Sequence, residues 1–291
     1  MQTHKAIDAY ILKPVLDRFY KEYELKERIT YDPVEFPHRY KKPEDIEVAG
    51  FIASCFAYGR IDLFKPVVER MLSLTEGSPY AFFSSFDIRK QSHLFNDIKY
   101  RMNKTSDIFG FFHLLSLMLM KYHTIGEFFK YHYKNSDESI VPVLSKFVNA
   151  FYSGDTTNVY GKQIYPFGLK QLLPSPDKGS TCKRANMFLR WMVRYGDAVD
   201  FGLWRFIPRN KLIIPLDTHI SRIARHLLLT ERKTTDLKTA IEITNNLKLF
   251  DSDDPVKYDF ALCHLGISGK CPSNRSDSSC MVCMLKDVCI V

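Results

Sequence analysis

Residues 168–186 read GLKQLLPSPDKGSTCKRAN, and this stretch decides how the chain folds. A short apolar helix is predicted to end at Pro174, because proline cannot continue a helix. A turn containing Gly179 follows, and a second helix is predicted from Cys182 to about Tyr195. The stretch therefore predicts two helices joined by a hairpin turn.

The second helix is predicted to have two chemically different faces. Its apolar residues recur at helical spacing and share one face: Ala185, Phe188, Leu189 and Met192. The residues of the opposite face are mostly basic: Lys183, Met187, Arg190 and Arg194. We therefore expect a buried stripe on one side and an outward basic surface on the other, beginning at the hairpin.

The rest of the chain also has helical patterns. A helix is expected to open at Pro43 and to bury an apolar face from Ile46 to Phe56. Further helices are expected over roughly 62–74, 107–122, 125–133 and 139–152, whereas 196–214 reads as an irregular insertion. No alternating pattern is long enough to build a sheet, so we predict an all-α fold.

Composition narrows the classes of partner. Forty-one basic against 33 acidic residues give a net charge of +8, which weakly favours a polyanion. The N-terminus lacks an apolar signal segment, and the run 108–120 is too short to span a bilayer. We therefore expect a cytoplasmic protein with no membrane partner.

Two further motifs follow the hairpin. Leu216-Asp217-Thr218-His219 precedes an apolar helical pattern, with Arg222 one turn further on. Asp217 falls where a helix N-cap is expected. Four of the seven cysteines then lie near the end, spaced Cys-x8-Cys-x2-Cys-x5-Cys: Cys271, Cys280, Cys283 and Cys289. A local cluster in a chain without a signal segment indicates metal before disulfides.

These segments, in this order, resemble the signature of the helix-hairpin-helix DNA-glycosylase superfamily, in its endonuclease III-like branch. The matching residues are Lys183-Arg184-Ala185-Asn186, Asp217-Thr218-His219 with Arg222, and the four cysteines. A single hairpin glycine, Gly179, and an interval of 34 positions between Lys183 and Asp217 depart from the family pattern and indicate a divergent branch.

The resemblance implies a two-lobed, all-α fold with a C-terminal four-cysteine cluster. One lobe would span 46–196 and end in the helix-hairpin-helix, and the other would join 1–45 to 210–291. It implies a monomer that excises a damaged base from double-stranded DNA, with Lys183 and Asp217 as catalytic residues. The residues implied to contact DNA lie on and after the hairpin: Lys178, Gly179, Ser180, Thr181, Arg184, Arg190 and Arg194.

Each implied role has a plainer alternative. Lys183 attacks a sugar only as a neutral amine, which requires a pKa about three units below that of free lysine. Arg184 and the helix N-terminus are expected to lower it, but Lys183 also fits a phosphate contact. Asp217 fits either stabilisation of a positive sugar or a helix cap. Tyr58-Gly59-Arg60 fits either a loop that enters the duplex or a helix end.

The metal and the activity also have alternatives. The cysteines suit a [4Fe–4S] cluster with Cys₄ ligation, because only one Cys-x-x-Cys pair is present, whereas structural zinc sites usually use two. Zinc, or no metal, remains open. The alternative function is a non-catalytic DNA- or RNA-binding protein that keeps the glycosylase scaffold.

Overall fold

A long buried helix, Pro43–Phe56, forms the centre of the computed structural model, which describes residues 9–274 and 277–290. Phe51 on this helix packs its ring against Phe111, Phe147 and Phe188. Gly50 on the same helix faces the Met192 and Phe188 side chains. The predicted helix over 46–56 is confirmed.

The described residues form helices and connecting segments and contain no β-strand, which confirms the all-α class. In chain order the α-helices are α1 Ala9–Glu22, α2 Leu25–Arg28, α3 Pro43–Phe56, α4 Ile61–Ser73, α5 Pro79–Ser84, α6 Ile88–Gln91, α7 Thr105–Tyr122, α8 Ile125–His132, α9 Val141–Phe151, α10 Thr157–Tyr160, α11 Phe167–Lys170, α12 Lys183–Val193, α13 Thr218–His226, α14 Leu237–Lys248, α15 Asp259–Ile267 and α16 Asp277–Cys280. Short 3₁₀ helices lie at Ile29–Tyr31, Pro33–Glu35, Pro37–Arg39, Ser92–Phe95, Pro176–Lys178 and Arg209–Lys211.

The insertion after α12 is irregular, as predicted, and much of it is buried. Its backbone bonds back to the end of α12, where Phe201 N donates to Trp191 O and Trp204 N donates to Met192 O. Trp204 is 2% exposed and donates its indole N–H to the buried Glu47 carboxylate at 2.7 Å. The insertion therefore completes the core beside α3.

The N-terminal helix α1 contacts the connection between α14 and α15. The Tyr258 hydroxyl donates to Asp17 at 2.6 Å, and Lys257 pairs with the same carboxylate at 2.9 Å. One set of buried apolar residues runs through α3, α7, α12, α13 and α15. The division into lobes over 46–196 and 1–45 with 210–291 stays a prediction, and residues 1–8 lie outside the described residues.

Among residues 9–274 and 277–290, no single helix is both long and apolar enough to cross a membrane. The pair α7 and α8 reaches the required length and composition only jointly, with a bend of 60° at the break between them.

Candidate functional site

A cavity lined by both charged and apolar groups lies where α12, α13 and α15 meet the segment before α3 and the loop after it. Its volume is about 480 Å³. Lys183 and Asp217 both line it. The lysine Nζ lies 3.9 Å from Asp217 Oδ2, and both side chains stay partly exposed, at 28% and 21%. Two residues that are 34 positions apart in the chain therefore face each other in one cavity.

Helix starts position both groups. Lys183 is the first residue of α12, directly after Cys182, whose backbone has a positive φ of 48°. Asp217 is the N-cap of α13, and its Oδ1 accepts the backbone N–H groups of His219 and Ile220 at 2.9 Å each. The helix-cap alternative for Asp217 is therefore confirmed. The cap leaves Oδ2 facing Lys183, and the catalytic role of this carboxylate stays a prediction.

Helix α15 supplies the third wall, because it packs closely on α13. An added Cβ on Gly266 would lie 2.7 Å from His219 Cβ, so glycine permits this approach. The packing places Cys263 beside the pair, and its thiol donates to Asp217 Oδ2 at 3.8 Å. Asp259, one helical turn earlier, lines the same cavity.

The pKa of Lys183 shifts in the direction opposite to the one expected from the sequence. Burial lowers its pKa, but the surrounding acidic groups, Asp217 first, raise it, and the net direction is upward. The expectation of a lowered pKa is wrong for the free protein. Arg184 does not reverse the direction, because the nearby carboxylates act more strongly on the amine.

A family model described as "Protein of unknown function (DUF2400)" matches residues 32–268. This chain belongs to the DUF2400 family. The matched region contains the cavity-lining residues from Asp32 to Ile267, and it ends before Cys271. No curated protein and no solved structure matches the chain.

Two of the arginines expected to contact DNA are buried in this DUF2400 chain. Arg190 and Arg194 are 2% and 1% exposed. Arg190 donates to Asp200 at 3.0 Å and to Asp259 at 3.2 Å, and Arg194 forms a two-pronged contact with Asp254. The prediction of an outward basic surface is therefore wrong for both, because the insertion and the start of α15 cover that side of α12.

Arg184 is partly exposed, but its guanidinium is engaged within the protein. Its guanidinium donates to the backbone carbonyls of Cys55 and Gln171 and lies over the Tyr58 ring, 5.1 Å from the centroid. These contacts hold α12 against the end of α3, and the expected DNA contact of Arg184 stays a prediction. Tyr58 bonds to Asn103, whereas Gly59 and Arg60 of the same predicted loop line the cavity.

The hairpin retains its predicted exposed residues. Lys178 and Gly179 are exposed, and Ser180 and Thr181 are partly exposed. Gly179 has a φ of +76°, a conformation that favours glycine. The hairpin is fixed to α9 by Asp177, whose carboxylate accepts from Ser145 and Asn149.

Sequence reasoning missed three cavity groups: Asp32, Asp259 and Cys263. Asp32 lies in the segment before α3 and contacts His264 at 3.1 Å. Asp259 and Cys263 are four positions apart, the spacing that places two residues on one face of a helix. That spacing, directly upstream of the cysteine cluster, was the available signal.

Proposed function

We propose that this protein is a DNA base-excision glycosylase with AP-lyase activity through Lys183. The observation that carries the proposal is the meeting of the Lys183 amine and the Asp217 carboxylate, 3.9 Å apart, in a cavity of about 480 Å³. An amine next to a carboxylate in a concave site is the arrangement that Schiff-base chemistry at a sugar requires.

Lys183 and Asp217 have separate roles in the proposed reaction. The neutral Lys183 nitrogen forms a bond to the sugar C1′, and the bond between C1′ and the departing base breaks. Opening of the sugar ring then gives a Schiff base, from which strand cleavage by elimination proceeds. The Asp217 carboxylate, held by its helix cap, stabilises positive charge on the sugar while the base departs.

The cavity suits an extruded nucleotide. Its volume lies within the range of about 300–1,000 Å³ that small-molecule sites occupy. Its lining combines apolar and aromatic groups such as Phe64, Trp191 and Phe260 with charged groups. A base must leave the duplex stack to reach such a site, at a cost of a few kcal/mol.

The hairpin is the proposed phosphate contact. Among the described residues, no hydrogen bond acceptor is found for the amides of Ser180 and Thr181, which precede the positive end of α12. The carbonyl of Gly179 is occupied by the amide of Leu237 at 3.0 Å. Outward amides at a helix N-terminus bind phosphate without reading sequence.

Lys178→Ala should weaken binding to duplex DNA and reduce the slope of log affinity against log salt concentration by about 1. The reason is the loss of one exposed cation at the phosphate contact. Fluorescence anisotropy over a salt series measures it, with Lys90→Ala on α6 as the control. An unchanged slope in Lys178→Ala would show that this hairpin does not bind phosphate.

The four C-terminal cysteines fit the proposed [4Fe–4S] cluster. All four line one cavity of about 280 Å³, together with His226 and Lys286. Within the described part of the chain, no group of three or more His, Cys, Asp or Glu side chains is gathered to hold a single metal ion. A cluster differs from a single ion, because its cysteines bind separate iron atoms around a larger body.

The proposed role of the cluster is structural. Arg222 on α13 donates to Cys271 O at 2.7 Å, and this bond joins the cysteine segment to the helix that Asp217 caps.

Cys283→Ala should remove the brown colour and visible absorbance that we expect of the purified protein, together with most of its iron and sulfide. Loss of one of four thiolate ligands is the physical reason. Iron and sulfide analysis measures it, and Cys263→Ala, outside the cysteine cavity, serves as the control. If the wild-type protein is colourless and contains stoichiometric zinc, the cysteines bind zinc and the iron–sulfur proposal is wrong.

A non-catalytic nucleic-acid-binding protein is the second candidate. The upward direction of the Lys183 pKa favours it, because a charged amine binds phosphate but does not attack a sugar.

A panel of duplexes carrying different base lesions, and one with an abasic site, separates the two candidates. The glycosylase proposal predicts base release from at least one lesion and a borohydride-trapped covalent adduct on the abasic duplex. Binding across the panel, with neither base release nor adduct, would favour the second candidate.

A further inference from the structure

The last turns of α13 hold the cysteine segment at two places. Arg222 donates to Cys271 O at 2.7 Å, and the amide of Ile290 donates to His226 O at 3.0 Å. Arg222 and His226 are four positions apart, so they lie on the same side of the helix. Both ends of the cysteine segment are therefore fixed against one side of α13.

This packing places the His226 ring in the wall of the cysteine cavity. The residue is 9% exposed and lines the cavity together with the four cysteines. Its ring Nδ1 lies 3.8 Å from Cys271 Sγ, which is within hydrogen-bond distance for a sulfur atom. The contact joins two residues that are 45 positions apart in the chain.

A backbone amide makes a comparable contact at a second cysteine. Leu285 N donates to Cys283 Sγ at 3.4 Å. Hydrogen bonds to the ligand sulfurs are one of the factors that set the reduction potential of an iron–sulfur cluster. The fold therefore directs both a backbone N–H and a side-chain ring nitrogen at cysteine sulfurs that the proposed cluster uses.

The chemistry of the ligand decides the direction of the His226 contact. A cysteine that binds iron is a thiolate, and its sulfur has no proton to donate. A neutral imidazole has one N–H and one nitrogen without a proton, so a bond to the thiolate requires the tautomer with the proton on Nδ1. In that tautomer His226 donates and Cys271 Sγ accepts.

We propose that His226 is a hydrogen-bond donor to the Cys271 thiolate of the [4Fe–4S] cluster and that this bond raises the reduction potential of the cluster. The inference rests on the proposed cluster and deepens it. Reduction adds negative charge to the cluster and its ligand sulfurs. An N–H directed at one sulfur therefore stabilises the reduced form more than the oxidised form.

The test is the reduction potential of the purified, iron-loaded protein, measured by protein-film voltammetry. His226→Phe removes the donor and keeps a ring in the cavity wall. We expect its one-electron couple to move to lower potential by about 59 mV, which is equivalent to a tenfold change in the equilibrium constant. An unchanged potential in His226→Phe, with the cluster retained, would overturn the inference.

His226→Asn is the matched variant that keeps a donor. The asparagine amide places an N–H close to the position of the ring Nδ1. The potential of His226→Asn should therefore stay near the wild-type value. If His226→Asn lowers the potential as much as His226→Phe does, the N–H is not the cause and the inference is wrong.

Met281→Leu controls for a change of packing in the cavity wall. Met281 lines the same cavity, and its thioether has no N–H or O–H group to donate. The potential of this variant should equal that of wild type. A shift as large as that of His226→Phe would show that packing sets the potential, and it would contradict the role of His226.

The contact can also be measured in wild type, so the test does not depend on a variant that retains the cluster. Pulsed electron paramagnetic resonance on protein grown with isotopically labelled histidine nitrogen should detect a weak coupling to one ring nitrogen, absent in His226→Asn. A strong coupling, as from a nitrogen bound directly to iron, or no coupling, would overturn the inference.

The outcomes for the two proposals are distinct. A wild-type protein that contains no iron–sulfur cluster contradicts the cluster proposal, and the inference about His226 fails with it. A wild-type cluster whose potential does not change in His226→Phe contradicts the role of His226 alone.

Discussion

Lys183→Ala should abolish the borohydride-trapped adduct on an abasic duplex, with a loss of at least about 10³-fold in trapping rate. The reason is that, among the described residues, Lys183 is the only lysine that lines the cavity, where it faces Asp217. Circular dichroism and thermal unfolding should show a folded variant, because the Lys183 side chain is partly exposed. Single-turnover trapping measures the loss.

Lys90→Ala is the matched lysine control. Lys90 lies on α6 with an 82% exposed side chain and does not line the cavity. It should form the adduct at the wild-type rate. Wild-type trapping by Lys183→Ala would exclude Lys183 as the nucleophile, whatever the control shows.

Arg194→Leu should reduce the free energy of unfolding by about 3–5 kcal/mol. The change leaves three buried carboxylates, Asp197, Asp200 and Asp254, without the guanidinium that they share. Breaking one side of a buried ion network costs more than the network contributes, because uncompensated charges stay buried. Urea unfolding followed by circular dichroism measures the effect.

Arg18→Leu provides the comparison for Arg194→Leu. Arg18 pairs with Glu22 on the surface of α1, with a 74% exposed side chain, and such a pair contributes at most about 0.5 kcal/mol. If Arg194→Leu instead unfolded like wild type and lost DNA affinity, the original expectation of an outward DNA contact would be correct.

The helical class could be predicted because apolar residues recur at helical spacing through most of the chain. The meeting of Lys183 with Asp217 could be anticipated only through the resemblance, since nothing in their local patterns relates two residues that the insertion separates. The hairpin residues 178–181 could be placed outside the core because glycine and polar groups mark an exposed turn.

The burial of Arg190 and Arg194 could not be read from the sequence. Helical spacing showed that they lie opposite the apolar stripe, but their partners come from outside α12, in the insertion and before α15. The place of Asp259 in the cavity and the upward pKa shift of Lys183 could not be predicted for the same reason. Both depend on groups that are far apart in the sequence and that only tertiary packing brings together.

The most direct measurement is to locate the DNA on the protein. Wild type is trapped with borohydride on an abasic duplex, the adduct is digested, and the modified peptide is mapped by mass spectrometry. We expect one modified residue, Lys183, on the peptide that contains the start of α12. Attachment at a different lysine, or no attached DNA under conditions in which the duplex is bound, would contradict a lyase acting through Lys183.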